Sequence, residues 1–141
     1  MGEAETVVYR GLESLQDGKV VPVVPQGISM LPFIKGGVDQ VFLLKKDSVE
    51  VGDIVLAVYH GQHILHRVYA IEGEQLTLMG DGNLEGVEKV TKAQVLGTAV
   101  EIADAKGRRR KPTKAWLWRK LLPMRRMLLK VHRKWEKLWN K

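Results

Sequence analysis

The sequence contains no cysteine among its 141 residues, which excludes disulfides, thiolate metal sites and thiol nucleophiles. It also lacks any run approaching the roughly 20 consecutive apolar residues that a membrane-spanning helix needs. Residues 1–15 are acidic where a secretory signal would be basic and then apolar. We therefore expect neither a spanning segment nor export by a cleaved leader.

The residues that are present divide the chain by charge. Residues 1–105 carry 8 Lys or Arg against 15 Asp or Glu, a net charge of −7, whereas residues 106–141 carry 15 against a single Glu, a net charge of +14. All four tryptophans lie in the second part. With 45% apolar residues overall, we predict one globular body over 1–105, followed by a basic linker and helical tail over 106–141.

The body has the pattern of a mainly β fold. Six short segments are rich in Val, Ile, Leu and Tyr, and clusters of Gly, Asp, Asn or Pro separate them. These segments are Lys19–Val24, Val38–Lys45, Asp53–Tyr59, His63–Ile71, Gln75–Met79 and Gln94–Ile102. Before them, Val8, Leu12 and Leu15 have helical spacing, and Gly18 ends a short N-terminal helix. We predict a coiled antiparallel sheet or barrel.

The tail has the pattern of a basic amphipathic helix. After Pro123, which should kink the chain, apolar and basic residues each recur at intervals of three and four on separate faces. The apolar positions are Met124, Met127, Leu128, Val131, Trp135 and Leu138.

Three local patterns in the body could carry chemistry. Ser29 lies in a Gly- and Pro-containing stretch, where a base could activate its hydroxyl. His66 lies in a strand-like run and shares a face with Ile64 and Val68, and Asp81 lies in a tight turn after a strand. The alternatives are an ordinary turn at Ser29 and at Asp81, and a core-edge histidine at His66.

The histidines also allow a second interpretation. His60, His63 and His66 are spaced by three, which on a helix would form one face and could bind a metal. The neighbouring residues favour a strand, on which His63 would face away from the other two. We therefore expect no metal and no cofactor.

Four boxes in this order resemble those of the signal peptidase I and LexA-like serine peptidase superfamily. They are GISMLP at 27–32, VGDIVLA at 51–57, LHRVYAI at 65–71 and MGDGN at 79–83. The resemblance covers about residues 20–102. It implies that Ser29 is the nucleophile and that His66 is the base, as in the Ser-His branch of archaeal and endoplasmic-reticulum signal peptidases.

The third role in such a site is assigned to Asp81, which would orient the imidazole and stabilise its protonated form. Enzymes of that branch carry further acidic residues after the Gly-Asp box, and this chain has Glu85 and Glu88 there at a different spacing. The resemblance therefore implies a serine endopeptidase that acts on a polypeptide substrate. The alternative is a non-catalytic or self-cleaving peptide-binding module.

Three roles are possible for the tail. A basic helix with Trp and Leu can lie on an anionic membrane surface, which would make the protein peripheral on the cytoplasmic face. It could instead bind nucleic acid through its positive charge. Or its apolar stripe could pack on the acidic body. We expect the membrane role, because the four tryptophans and the apolar stripe exceed what phosphate contacts need.

Overall fold

A computed structural model describes residues 11–27, 29–82 and 86–115. These residues form one antiparallel sheet with very little helix, which confirms the predicted mainly β class. The strands are β1 (Val21–Val23), β2 (Gln40–Leu44), β3 (Ile54–Tyr59), β4 (Gln62–Glu72), β5 (Gln75–Met79), β6 (Glu88–Thr91), β7 (Val95–Ala103) and β8 (Arg109–Arg110).

The sheet curls into a half-barrel. Its strand order is β1-β2-β7-β3-β4-β5-β6, and β8 pairs with β7. Strands β3 to β6 follow one another as a meander, whereas β7 inserts between β2 and β3. The register shifts where β2 and β3 meet β7 and again between β4 and β5. Such irregularities bend strands, so they accompany the curl.

Each predicted strand segment overlaps an observed strand, while β6 and β8 add two that the sequence pattern did not indicate. The predicted N-terminal helix is observed as a 3-10 helix over Leu12–Asp17. It ends at Gly18, whose φ of 77° is in the left-handed region that glycine adopts without strain. Val8 and residues 116–141, which include the predicted C-terminal helix, lie outside the described residues.

Strands β3 and β4 are buried on both faces of the sheet. Leu56 and Leu65 belong to one apolar cluster, while Val55 and Ile64 belong to the other. Side chains alternate between faces along a strand, so the long apolar runs in these two strands follow from burial on both sides.

The hairpin between β3 and β4 fixes their register. His60 and Gly61 form its two-residue turn, with φ values of 49° and 77°. Two positive φ values are typical of the tight hairpin turns whose twist matches that of the strands. His60 therefore lies in the turn and not on a strand face with His66, contrary to the sequence expectation. The turn sets Val55 opposite His66.

Candidate active site

Ser29 lies in the segment that connects β1 to β2, and only 7% of its surface is exposed. The backbone N–H of Gly82 donates to the carbonyl oxygen of Ser29 at 2.8 Å. The next carbonyl, that of Met30, accepts from the N–H groups of Phe33 and Ile34 at 3.0 and 2.9 Å. The turn after β5 thus holds the backbone of Ser29, and a tight turn begins at the next residue, Met30.

The segment between β1 and β2 makes a close backbone contact with itself at Gly27 and Gly36. A Cβ atom added to Gly36 would lie 1.9 Å from the carbonyl oxygen of Gly27, so only glycine fits there. The N–H of Gly37 donates to the carbonyl of Pro25 at 2.6 Å. These contacts close a loop in the chain, and Ser29 lies within that loop.

His66 lies in the middle of β4 and is 3% exposed. It pairs across the sheet with Val55, and Ile64 and Val68 belong to the apolar cluster on that face, as strand alternation predicted. Its Nδ1 atom lies 2.7 Å from Oε1 of Glu88, whose side chain is 17% exposed. An N–H on Nδ1 donates to this carboxylate, which fixes the ring and favours the tautomer with its lone pair on Nε2.

Asp81 is fully buried and binds Arg67 through both carboxylate oxygens. Nε of Arg67 lies 2.8 Å from Oδ1 and 3.0 Å from Oδ2, and Nη2 lies 2.7 Å from Oδ2. The Tyr69 hydroxyl lies 3.4 Å from Oδ1. The sequence assigned the orientation of the imidazole to Asp81. In the structure, Glu88 makes the contact with Nδ1 of His66, and Asp81 forms the ion pair with Arg67.

The three predicted residues are linked through the C-terminal end of β5, which pairs with the middle of β4 and leads to the turn that contacts Ser29. His66 precedes Arg67, which pairs with Met79, the last residue of β5, and Asp81 follows two positions after Met79. The following residue, Gly82, makes the hydrogen bond to the backbone of Ser29. A small pocket brings Ser29 to Leu65 of β4, whose side chain lies on the face of the strand opposite to that of His66. Its lining residues are Pro25, Gln26, Gly27, Ser29, Met30, Ile34, Gly36 and Leu65.

Arg67, for which no role was predicted, joins several parts of this region. Besides Asp81, its Nη1 atom donates to the carbonyls of Gly52 and Thr113 at 2.8 and 2.7 Å. Its guanidinium also lies 5.1 Å from the centre of the Phe33 ring, within range of a cation–π interaction. A basic residue inside an apolar strand, with an acidic turn one strand later, is the sequence signal that could have indicated this buried pair.

The described start of the predicted linker is attached to the sheet. Ile102 and Ala103 of β7 pair with Arg110 and Arg109 of β8. Farther along, Nζ of Lys114 lies 2.9 Å from Glu50 and 2.7 Å from Asp53. Burial alone would lower the pKa of Lys114, but the hydrogen bonds and charges of Asp53 and Glu50 outweigh it and raise the pKa above 10.5. Residues 106–115 therefore continue the body for about ten residues beyond the predicted boundary.

Within the described ranges, no three His, Asp or Glu side chains are arranged to hold a metal ion. In the same part of the chain, no helix has the length and apolar character needed to cross a bilayer. No protein-family model and no curated protein matches the chain.

Proposed function

We propose that the protein is a serine endopeptidase in which Ser29 is the nucleophile, His66 is the general base and Glu88 orients His66. The contact between Nδ1 of His66 and Oε1 of Glu88 carries this proposal. A buried strand histidine needs only one hydrogen bond to be satisfied, but a carboxylate on Nδ1 also prepares Nε2 to accept a proton. The order of the four sequence boxes and the backbone link from Gly82 to Ser29 give further support.

The proposed reaction is acyl transfer in two steps. Oγ of Ser29 attacks the carbonyl carbon of a peptide bond while its proton passes to Nε2 of His66. The carbon–nitrogen bond then breaks, and His66 returns the proton to the leaving amine. Water, deprotonated in turn by His66, hydrolyses the ester on Ser29 and restores the free enzyme. Positioned proton transfer of this kind contributes about 10²–10⁴-fold to the rate.

In this proposal, Glu88 and Asp81 divide two tasks. Glu88 stabilises the imidazolium that forms when His66 takes the proton, because its carboxylate faces Nδ1. Asp81 and Arg67 hold the turn whose Gly82 N–H fixes the backbone of Ser29. The N–H of Ser29 is a candidate donor to the developing oxyanion, and loss of one such donor typically costs about 10²–10³ in turnover.

We extend the proposal to fold type and location. The curled antiparallel sheet is consistent with the signal-peptidase or LexA-like type, which the sequence boxes favour. The basic tail would form an amphipathic helix on an anionic membrane surface and keep the site near substrates at the cytoplasmic face. Each Lys or Arg close to such a surface contributes about 1 kcal/mol, so engagement of a third of the 15 would hold the protein there.

The test is cleavage of a complex peptide library, followed by mass spectrometry of the new termini. We expect the wild-type protein to create termini that Ser29→Ala and His66→Ala do not create. The mass of the protein itself is followed in the same samples. Cleavage confined to its own chain would favour the self-processing alternative, and no serine-dependent cleavage would favour the peptide-binding module.

A further inference from the structure

We infer that Arg110 is a positioning residue for the nucleophile. Its side chain extends from β8 and holds the turn over 33–39, which follows Ser29. This inference rests on the proposed function. It assigns a role to a residue that the sequence places in a charged linker.

Arg110 holds the turn at two places. Its Nη2 atom donates to the carbonyl of Phe33 at 2.6 Å and lies 3.5 Å from Oδ2 of Asp39. The same Oδ2 accepts the backbone N–H of Lys35 at 2.8 Å. One guanidinium therefore contacts both the beginning and the end of the turn over 33–39. Asp39 is 5% exposed, so its carboxylate is a well-defined partner.

The backbone of Arg110 is itself fixed on both sides. Its pairing with Ile102 places it in β8. Three residues later, the carbonyl of Thr113 accepts a hydrogen bond from the fully buried Arg67. Lys114 adds its contacts with Glu50 and Asp53. The side chain of Arg110 is 45% exposed, but it extends from a segment with anchors before and after it.

A short chain of contacts leads from Arg110 to Ser29. Arg110 binds the carbonyl of Phe33, and the N–H of Phe33 binds the carbonyl of Met30, the residue after Ser29. Met30 is 4% exposed and packs in the apolar core. A shift of Phe33 would therefore move Met30 and Ser29 together, and a displacement of about 1 Å can cost up to about 10²-fold in rate.

The matched control is Arg108, which lies two residues earlier in the same segment. Its contacts are with Asp104 at the surface, and its side chain is 73% exposed. Arg108→Gln removes the same charge as Arg110→Gln without touching the turn over 33–39.

The experiment uses the absence of native cysteine. In the Ser29→Cys protein, the only thiol occupies the nucleophile position, and its titration is followed by the ultraviolet absorbance of the thiolate. A positioned histidine lowers a thiol pKa, so the signal reports how well residue 29 meets His66. Arg110→Gln, Arg110→Lys and Arg108→Gln are each added to this protein, and thermal unfolding identifies the variants that are folded.

We expect Arg110→Gln to lower the thiol-to-thiolate equilibrium constant by about tenfold, which is one pKa unit. In Arg110→Lys, which keeps the positive charge, the thiol pKa should lie between that of Arg110→Gln and that of the parent Ser29→Cys protein. Arg110→Lys takes the place of Arg110→Gln if Arg110→Gln does not fold. The thiol pKa of Arg108→Gln should equal that of the parent Ser29→Cys protein. An unchanged thiol pKa in folded Arg110→Gln, or in folded Arg110→Lys if Arg110→Gln does not fold, would overturn this inference and leave the proposed function standing. If adding His66→Ala to the Ser29→Cys protein leaves its thiol pKa unchanged, both this inference and the proposed function are overturned.

Discussion

Oε1 of Glu88 lies 2.7 Å from Nδ1 of His66, although the two residues are 22 positions apart and β5 separates their strands. The contact crosses β5 diagonally on the face of the sheet where Val68 and Leu78 are buried. The pairing of β4, β5 and β6 therefore fixes the position of the His66 imidazole relative to Glu88. The catalytic proposal depends on this relationship more than on any other.

The first prediction concerns the carboxylate. Glu88→Gln should lower kcat for peptide cleavage by about 10²-fold or more, because an amide can stabilise the wrong tautomer and cannot stabilise the imidazolium. The measurement is steady-state cleavage of a peptide found with the library. Glu101→Gln is the control, since Glu101 pairs with Arg109 away from this site. Wild-type turnover in Glu88→Gln would remove Glu88 from the mechanism.

The second prediction concerns the ion pair between Arg67 and Asp81, both with fully buried side chains. Removal of one partner leaves a buried charge uncompensated, so Arg67→Met or Asp81→Asn should lower the free energy of unfolding by about 3–5 kcal/mol. The double variant should lose less than the sum of the two single losses. Urea unfolding of all four proteins measures this coupling, and additive losses would show that the pair is not coupled.

The third prediction concerns pH and Lys114. Its pKa is raised in the folded state by Asp53 and Glu50 against the opposing effect of burial, so the folded protein holds this proton more tightly than the unfolded chain. Its stabilising contribution is therefore complete below pH 10.5 and is lost as pH rises through the higher folded pKa.

Because its side chain is 48% exposed, Lys114→Met should cost at most about 1 kcal/mol at pH 8. The deficit should shrink as the solution is made more alkaline than pH 10.5. Urea unfolding across this range makes the comparison, with Lys111→Met as the control from the same segment. A deficit that is equal at all pH values would show that the charge of Lys114 is not what stabilises the fold.

The fourth prediction concerns the tail. Since residues 109–114 are bound to the sheet, the informative truncation ends after residue 115 and not after 105. We expect the full chain to sediment with anionic vesicles, and the truncated chain to remain in solution and stay folded. Equal sedimentation would contradict the membrane role. A salt-sensitive shift of random duplex DNA by the full chain alone would support nucleic-acid binding instead.

The sequence was sufficient to predict six of the eight described strands, because each of the six is marked by β-branched and aliphatic residues between turn signals. The face occupied by His66 followed from strict alternation along β4. Strand β6 was missed because Glu88–Thr91 contains one buried apolar residue, Val90, and is held by its partner β5. Strand β8 consists of two arginines, which have no strand pattern of their own.

The roles of the acidic residues could not be predicted from sequence, because they depend on long-range pairing. Asp81 and Glu88 both follow β5, and nothing local indicates that one faces Arg67 and the other His66. Only the register of β4, β5 and β6 separates them. The contact between Arg110 and Phe33 joins residues 77 positions apart, and it likewise depends on how the sheet closes.

The most direct test of the account is the pKa of a thiol at position 29. In Ser29→Cys, the ultraviolet titration should give a thiol pKa well below the usual value of about 8.5, and adding His66→Ala should return it to that value or above. The protein has no other cysteine, so the signal comes from this position alone. A thiol that titrates identically with and without His66 would contradict the claim that residues 29 and 66 act as a pair.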